Sequence, residues 1–364
     1  MRPSPFARFN TIMNAPEIEP QLHIPEAIVA WDPSEHPVVT CYVDWRVSGR
    51  GLHEAQTIVR KELHTHQAQL PTRGPARESF DADAARIEAY LADEADPAAR
   101  GIAIFACHGR GLWWTATLGV PLATEVHAGE WPRLVPLAEA TQEAARTLVV
   151  LADTNEVRLI RLDRTGPHEE PGPHRDQWKT VHHSTVGGWS QANYQRSVDV
   201  MVERFAQDVA DTVAAQVTAD QLDHLVLAGD EVITSPLRRA LPPDLNDRID
   251  AVEHIDIRAG IDDVVGRIWP AVQQRASADR ERDLKRLLEL AGAGRAITEP
   301  ADLRTQLAAG RVDTLAFDPE RLEDDAAELL LREALTHRSR VVIARGDAAL
   351  TEAGGAVASL RGSG

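Results

Sequence analysis

One amphipathic stretch limits what this chain can fold into more than any other feature. From Ser190 to Val217, apolar side chains recur every three or four positions, which predicts a helix of about seven turns with Ser190 as its N-cap. A helix of this length with a single apolar face has to bury that face against another layer of structure. The apolar positions are Tyr194, Val198, Met201, Val202, Phe205, Val209 and Val213.

Strand-sized apolar runs on both sides of this helix supply the other layer. "TLVVLADTNEVRLIRLD" from Thr147 predicts a hairpin that turns at residues 153–155. A polar loop rich in Pro, Gly and His is expected from Arg164 to Trp189. After the helix come a strand in "DHLVLAGD", a short helix near "SPLRRAL", a strand in "RIDAVEHIDI" and a helix from about Gly260 to Leu290. This alternation predicts an α/β fold.

The chain is too long for one domain of typical size, and its pattern predicts three small α/β domains. Residues 1–25 are expected to form a flexible arm, 26–145 an N-terminal α/β domain, 146–290 the central domain and 291–364 a C-terminal α/β domain. "HGRG" at residues 108–111 is interpreted as a hairpin turn, and the final "SLRGSG" as a frayed tail.

Composition narrows the choice of partners. A net charge of −17 argues against non-specific nucleic-acid binding, so DNA is not expected as a partner. No apolar run approaches the roughly 18 residues of a membrane helix, and no signal peptide is recognisable, so we expect a cytoplasmic protein without a membrane partner. Cys41 and Cys107 lie in apolar runs and are expected to be buried reduced thiols.

Neither a cofactor nor a metal is expected. The sequence has no Walker loop, dinucleotide-binding glycine fingerprint, nucleophile elbow, Cys-x-x-Cys or His-Glu-x-x-His motif. His64 and His66 are two residues apart and would point to different faces of a helix. His182 and His183 have no carboxylate or thiol beside them at ligand spacing.

The loop before the long helix has a charge opposite to that of the whole chain. Residues 177–198 contain no acidic side chain, although Asp and Glu occupy 56 of 364 positions. The cationic or titratable side chains in this stretch are Lys179, His182, His183 and Arg196. Two interpretations are open: a surface loop that only leads into the helix, or a tip that contacts RNA.

Particular residues favour the RNA-contacting tip. Gly187 and Gly188 allow the backbone to approach a ligand closely, and the helix N-terminus behind them favours anions. Trp189 and Tyr194 offer rings on which unpaired bases can stack. Gln191 is a residue that could orient a water molecule or donate to a developing negative charge.

The order of these parts resembles the archaeo-eukaryotic peptide-chain release factor superfamily. A hairpin, a loop with His and Gly-Gly, a long helix and "LVLAG" match the central domain of those factors, and "ADLRTQLAAGRVDTLAFD" resembles their third domain. "GGWSQANYQR" is similar to bacterial members. The resemblance extends to Pelota, to peptidyl-tRNA hydrolases of the Vms1/ANKZF type and to Balon-type hibernation factors.

The resemblance assigns roles to the loop. In release factors a Gly-Gly-Gln loop assists hydrolysis of peptidyl-tRNA, which makes Gly187, Gly188 and Gln191 the catalytic candidates. Trp189 stands where the family has glutamine, so the residues leave open whether the chain hydrolyses peptidyl-tRNA or only plugs the ribosomal A site. The RNA-binding candidates in and around this loop are Lys179, His182, His183, Trp189, Ser190, Tyr194 and Arg196.

The resemblance also implies partners: the ribosome with its rRNA and peptidyl-tRNA, and a translational GTPase such as elongation factor Tu. The family's Asn-Ile-Lys-Ser decoding motif is absent from the sequence. The acid-free "WRVSGRGLH" from Trp45, with Arg46 and Arg50, is the candidate contact of the N-terminal domain with RNA.

Overall fold

Three β-sheets with flanking helices make up the described part of the chain, which confirms the α/β class. The computed structural model describes residues 24–46, 53–97, 99–142, 146–163, 166–174, 189–220 and 222–362. The sheets fall one each into the three predicted domains. The domain boundaries themselves stay a prediction.

The N-terminal sheet is antiparallel, with the strand order β3-β2-β1-β4. Its strands are β1 (Val38–Asp44), β2 (Gly101–Cys107), β3 (Leu112–Leu118) and β4 (Glu125–Gly129). The helices are α1 (Glu26–Val29), α2 (His53–Gln69), α3 (Pro75–Ala89) and α4 (Val135–Gln142), and a π-helical turn at Tyr90–Glu94 extends α3. A 3-10 turn at His108–Arg110 joins β2 to β3, which confirms the predicted hairpin.

Alternation along β1 and β2 divides their side chains between two faces. One face packs on α2 and α3, where Ile104 and Cys41 meet Val59 and Phe80. The opposite face carries Tyr42 and belongs to a second buried cluster. Both cysteines are buried and free, as predicted, and burial raises the pKa of the Cys41 thiol to about 12.

The central sheet is mixed, with the strand order β7-β6-β5-β8-β9. Its strands are β5 (Thr147–Ala152), β6 (Glu156–Asp163), β7 (Gly166–His174), β8 (His224–Gly229) and β9 (Ile249–Glu253). The strands β5, β8 and β9 are parallel, whereas β6 is antiparallel to both β5 and β7. The predicted hairpin of β5 and β6 is confirmed.

Helices cover both faces of the central sheet. On one face lie α5 (Trp189–Ala219) and α6 (Glu231–Ala240), and a short α7 (Pro243–Asn246) follows. On the other face lies the first part of α8 (Ile261–Gly292), through Val264, Ile268 and Val272. The predicted long helices and the short helix near Pro236 are therefore present.

The C-terminal sheet has the strand order β10-β13-β11-β12. Its strands are β10 (Ala296–Ile297), β11 (Val312–Phe317), β12 (Arg340–Ile343) and β13 (Ala356–Leu360), and its helices are α9 (Pro300–Ala308), α10 (Asp324–Thr336) and α11 (Ala348–Glu352). The second half of α8 packs on one face of this sheet, where Leu284 and Leu287 contact the cluster of Val342 and Val357.

Three local predictions were wrong. The expected loop from Arg164 contains strand β7, whose Pro167 and Pro171 are tolerated because β7 is an edge strand that pairs only with β6. Ser359 and Leu360, expected in a frayed tail, pair within β13 against β11. The long helix begins at Trp189, so Ser190 is its second residue and not its N-cap.

Over the residues described here, no helix is long and apolar enough to cross a membrane.

Candidate functional site

The candidate loop leaves the central sheet at the edge where its parallel strands end. His174, the last residue of β7, lies opposite Glu156, the first residue of β6. The register of β6 with β5 puts Val157 opposite Ala152, and Ala152 is level with Gly229 at the end of β8. The segment from 175 to 188 therefore starts at the carboxyl edge of the parallel strands, which is the usual place for ligand sites in such sheets.

The long helix extends beyond this edge. The buried side chains of α5 run from Val202 to Val217, about 24 Å of helix, and this matches the roughly 20 Å length of a six-residue strand. The helix nevertheless begins at Trp189, which adds about 20 Å before Val202. Asp199, which lies on the same face of the helix as the buried Ala206 and Val217, is already exposed. Residues 189–201 thus form a helical stalk, and the Gly-Gly pair, which lies outside the described residues, directly precedes it in the sequence.

A strained junction keeps the base of the stalk in place. Gly229 has a φ of 120°, and a Cβ on this residue would lie 1.9 Å from the carbonyl oxygen of Ala152. Only glycine allows the two strand ends to come this close. Asp230 then donates its N–H to the Ala152 oxygen (3.1 Å), and its side chain caps α6 at Val232.

Arg158 ties the neighbouring strands to the segment after β9. Its guanidinium donates to the carbonyl oxygens of Ile257 and Ala259, both at 2.7 Å, and forms a bidentate ion pair with Glu169 of β7. Hydrogen bonding to Arg158 lowers the pKa of Glu169 and keeps it ionised. This arginine therefore joins β7, the strand that precedes the loop in the sequence, to β6 and to the segment after β9.

Several exposed acidic side chains lie at the carboxyl edge of the central sheet. Four of them, Glu156, Asp230, Glu231 and Asp256, lie at the carboxyl edge of the sheet or in the turns next to it, and Asp153 there is partly exposed. These acidic positions were not predicted from the sequence, although each acid follows or precedes a strand of the sheet. Because carboxylates repel phosphate, the sheet edge itself is unsuited to RNA. The acid-free segment 177–198 has the charge that RNA contact favours.

Some of the candidate residues lie in the stalk, and others lie outside the described residues. Trp189, Ser190, Gln191, Tyr194 and Arg196 lie in the first two turns of α5, although their side chains are outside the described residues. The whole of Lys179, His182, His183, Gly187 and Gly188 also lies outside the described residues. Gln191 is the third residue of the helix, so its backbone belongs to the first turn of α5.

The two RNA-binding candidates of the N-terminal domain, Arg46 and Arg50, are far from this loop in the sequence. Arg50 lies outside the described residues. Arg46 is half-exposed, but its guanidinium donates to both carboxylate oxygens of Asp44 at 2.9 and 2.6 Å. The hydrogen bonds with Arg46 lower the pKa of Asp44, so the pair stays ionised. A contact between Arg46 and phosphate would have to compete with this carboxylate.

Fold and site together define a class of protein in which an α/β unit carries an acid-free loop on a projecting helix. Residues 132–273 match the family model of bacterial archaeo-eukaryotic release factor family 10. This part of the chain is therefore similar to the archaeo-eukaryotic release factor superfamily, which agrees with the resemblance seen in the loop and helix. The match includes the stalk, the whole central sheet and also α4.

Several solved structures are similar to the chain. An archaeal translation termination factor, aRF1, is 16% identical over 92% of this chain and 95% of its own, with a TM-score of 0.24. Archaeal Pelota, in a ribosome-bound model with ABCE1, is 18% identical over 69% and 72%, with a TM-score of 0.45. Dom34 from S. cerevisiae is 10% identical over 69% and 74%, with a TM-score of 0.39. No curated protein matches the sequence.

Proposed function

We propose that this protein binds the ribosome and inserts the tip of its stalk, residues 187–191, into the peptidyl-transferase centre. The observation that carries the proposal is the release-factor match over residues 132–273, which spans the Gly-Gly pair and the helix that presents it. The helix of the stalk raises its tip about 20 Å above the acidic sheet edge. This is more than twice the screening length of roughly 8 Å at physiological salt, so the tip can meet RNA without strong repulsion from that edge.

We propose that the tip assists hydrolysis of the peptidyl-tRNA ester in ribosome rescue. Gly187 and Gly188 would shape the approach, and Gln191 would position the attacking water. Backbone N–H groups near Trp189, in the first turn of α5, are free of partners within the helix and can stabilise the oxyanion that forms. The remaining RNA-binding candidates would hold the tip against rRNA.

The alternative is a hibernation factor that occupies the A site without chemistry. One observation favours it: Trp189 directly follows the glycines, and Gln191 lies in the helix, in its first turn. A bulky indole at the tip suits stacking on a base better than it suits water activation. A translational GTPase such as elongation factor Tu as a further partner stays a prediction from the resemblance.

A peptide-release assay distinguishes the two functions. Purified protein is mixed with ribosomes that carry a labelled peptidyl-tRNA, and released peptide and bound protein are measured in parallel. For the hydrolase we expect Gln191→Ala to slow release at least about 100-fold, as for loss of a transition-state donor, with binding unchanged. The matched control is Gln195→Ala, one helical turn further along α5, which should release peptide like the wild type.

Each other result has a definite meaning. Tight ribosome binding by the wild type without any release would support the plug and reject hydrolysis. Release that survives Gln191→Ala would contradict the role of this residue. Absence of ribosome binding would contradict both functions.

A further inference from the structure

The N-terminal and C-terminal sheets share a layer of helices. The face of the N-terminal sheet that α2 and α3 do not cover carries Tyr42 and Phe105. These two rings belong to one buried apolar cluster with Leu315 and Phe317 of the C-terminal sheet. The helices in this cluster come from both ends of the chain: α1 and α4 from the N-terminal part, α9 and α10 from the C-terminal part. The two sheets therefore both pack against a single apolar core.

The start of α4 is held by α10. The Glu328 carboxylate, on a residue that is 5% exposed, accepts the N–H groups of Leu134 at 2.7 Å and Val135 at 3.2 Å. These are N–H groups at the helix start that lack partners within α4, so the carboxylate acts as a cap supplied from another part of the chain. One turn further along α10, the guanidinium of Arg332 lies 3.9 Å from the centre of the Trp131 ring.

The end of α4 is held by strand β12. The Gln142 side chain donates to the Val341 oxygen at 3.2 Å and accepts the Ile343 N–H at 3.0 Å, so it pairs with the edge of β12 as a neighbouring strand would. Beside it, Arg345 forms a bidentate ion pair with Glu139 of α4, at 2.6 and 2.8 Å. Both ends of this short helix are thus attached to the C-terminal unit.

The N-terminal sheet holds the same segment from the other side. The Tyr42 hydroxyl donates to the carbonyl oxygen of Arg133 at 2.5 Å, and the hydroxyl oxygen of Thr40 accepts the Arg133 N–H at 3.2 Å. The Trp31 indole N–H donates to the Glu130 oxygen at 3.1 Å. Residues 130–142, which we name the joint segment, therefore have specific polar contacts with both sheets.

We propose that the N-terminal and C-terminal units form one rigid body fastened by the joint segment, and that this body carries the central sheet with its stalk. Because polar contacts hold both ends of α4 and the two sheets share an apolar core, the sheets are fixed relative to each other. The family match begins at residue 132, so nearly the whole joint segment lies in the same matched region as the stalk. The inference concerns the body of the molecule and does not depend on what the tip does.

Distance measurements between spin labels test the joint. Lys61→Cys on α2 and Glu352→Cys on α11 place one label on each unit at exposed positions, while native Cys41 and Cys107 are buried and should not react. We expect one narrow distance distribution in the labelled protein. The triple variant Glu139→Ala, Gln142→Ala, Glu328→Ala should give a broad distribution. The matched control is Glu320→Ala, because Glu320 also pairs with Arg345, at 3.1 Å, but has no contact with α4 among the hydrogen bonds and ion pairs of the described residues.

The outcomes are distinct. A broad distribution in the protein with an intact joint would overturn the proposal, and so would a triple variant that stays as narrow as the control. If the triple variant does not fold, hydrogen exchange of Glu139→Gln replaces it. Exchange of amides within 134–142 should then rise while that of β5 and β8 stays as in the wild type, and unchanged exchange in 134–142 would contradict the joint.

Discussion

Glu328 is the residue whose ionisation state most affects the core. Burial raises the pKa of this carboxyl to about 7, well above that of an exposed glutamate, although the N–H groups of Leu134 and Val135 partly offset the shift. The folded protein therefore binds a proton at pH values where the unfolded chain has lost it. For a group of this kind, stability falls as the pH rises through the window between the two pKa values.

Glu328→Gln tests this linkage. The free energy of unfolding of the variant and of the wild type is measured in urea between about pH 5 and 7.5. The difference between them should change in favour of the variant as the pH rises, because only the wild type has to ionise a buried carboxyl. The raised pKa of Glu328 limits this change in unfolding free energy to at most about 3 kcal/mol across the window. Glu320→Gln, at an exposed carboxyl, serves as the control and should keep a constant difference from the wild type. A constant difference for Glu328→Gln as well would show that this carboxyl does not titrate in the window.

For Arg46, the sequence predicted the exposure and the charge but not the ion pair that this residue forms. Its exposed position after a strand was predictable, and so was its positive charge. Its partner Asp44 lies only two residues earlier, yet the sequence window "WRVSGRGLH" excluded it. At the end of a strand, residues i and i+2 lie on the same face, which is why the two side chains meet. Charge patterns therefore have to be read together with the residues that flank them.

Among the elements, α5 combines a buried part and a projecting part in one helix. Its sequence periodicity continues through both parts, so the sequence predicted the helix and its apolar face but not where burial ends. The side chains of Val202, Phe205, Val209 and Val213 are buried, whereas Asp199, on the same face of the helix, is exposed. The position of this boundary depends on how far the sheet extends, which no local pattern encodes.

A pair of matched substitutions tests the difference in burial between two valines of α5. Val209→Ala removes two methyl groups from a fully buried site and should cost about 2 kcal/mol of unfolding free energy. Val200→Ala makes the same chemical change on the exposed stalk and should stay within about 0.5 kcal/mol of the wild type. Chemical denaturation of both variants measures the difference. Equal costs at the two positions would mean that the sheet or another element covers the stalk.

Strand β7 was missed because nothing in "GPHEEPGPH" resembles a strand. It has no alternation of apolar and polar residues, and its three prolines usually argue against a sheet. The strand forms because the backbone of β6 presents a free edge and because the Arg158–Glu169 pair joins the two strands across their faces. These causes lie in the partner strand, outside the segment itself.

At the scale of the whole molecule, the sequence predicted three sheets in their order along the chain but not how they combine. The joint depends on Glu328 meeting Leu134, which are 194 residues apart in the sequence. A buried glutamate in a helix offers no local sign of the helix that it will cap. The hairpin and the long helix of the central unit were easier to predict, since each forms from residues that are close together in the chain.

The distribution of charge over the molecule leads to a prediction for the proposed ribosome binding. The chain has a net charge of −17 and Arg46 is bound to Asp44, so we expect phosphate contacts mainly in the acid-free segment 177–198. Two to four phosphate contacts would give a slope of log K against log salt of about −1.5 to −3.5, for single-stranded or duplex nucleic acid.

Sedimentation with ribosomes at increasing KCl measures this slope, and Lys179→Ala or Arg196→Ala should each make it shallower by about one. Asp199→Ala, at the stalk next to this segment, is the control and should strengthen binding without a shallower slope. A slope near −8 would place the contact on some other, broader surface.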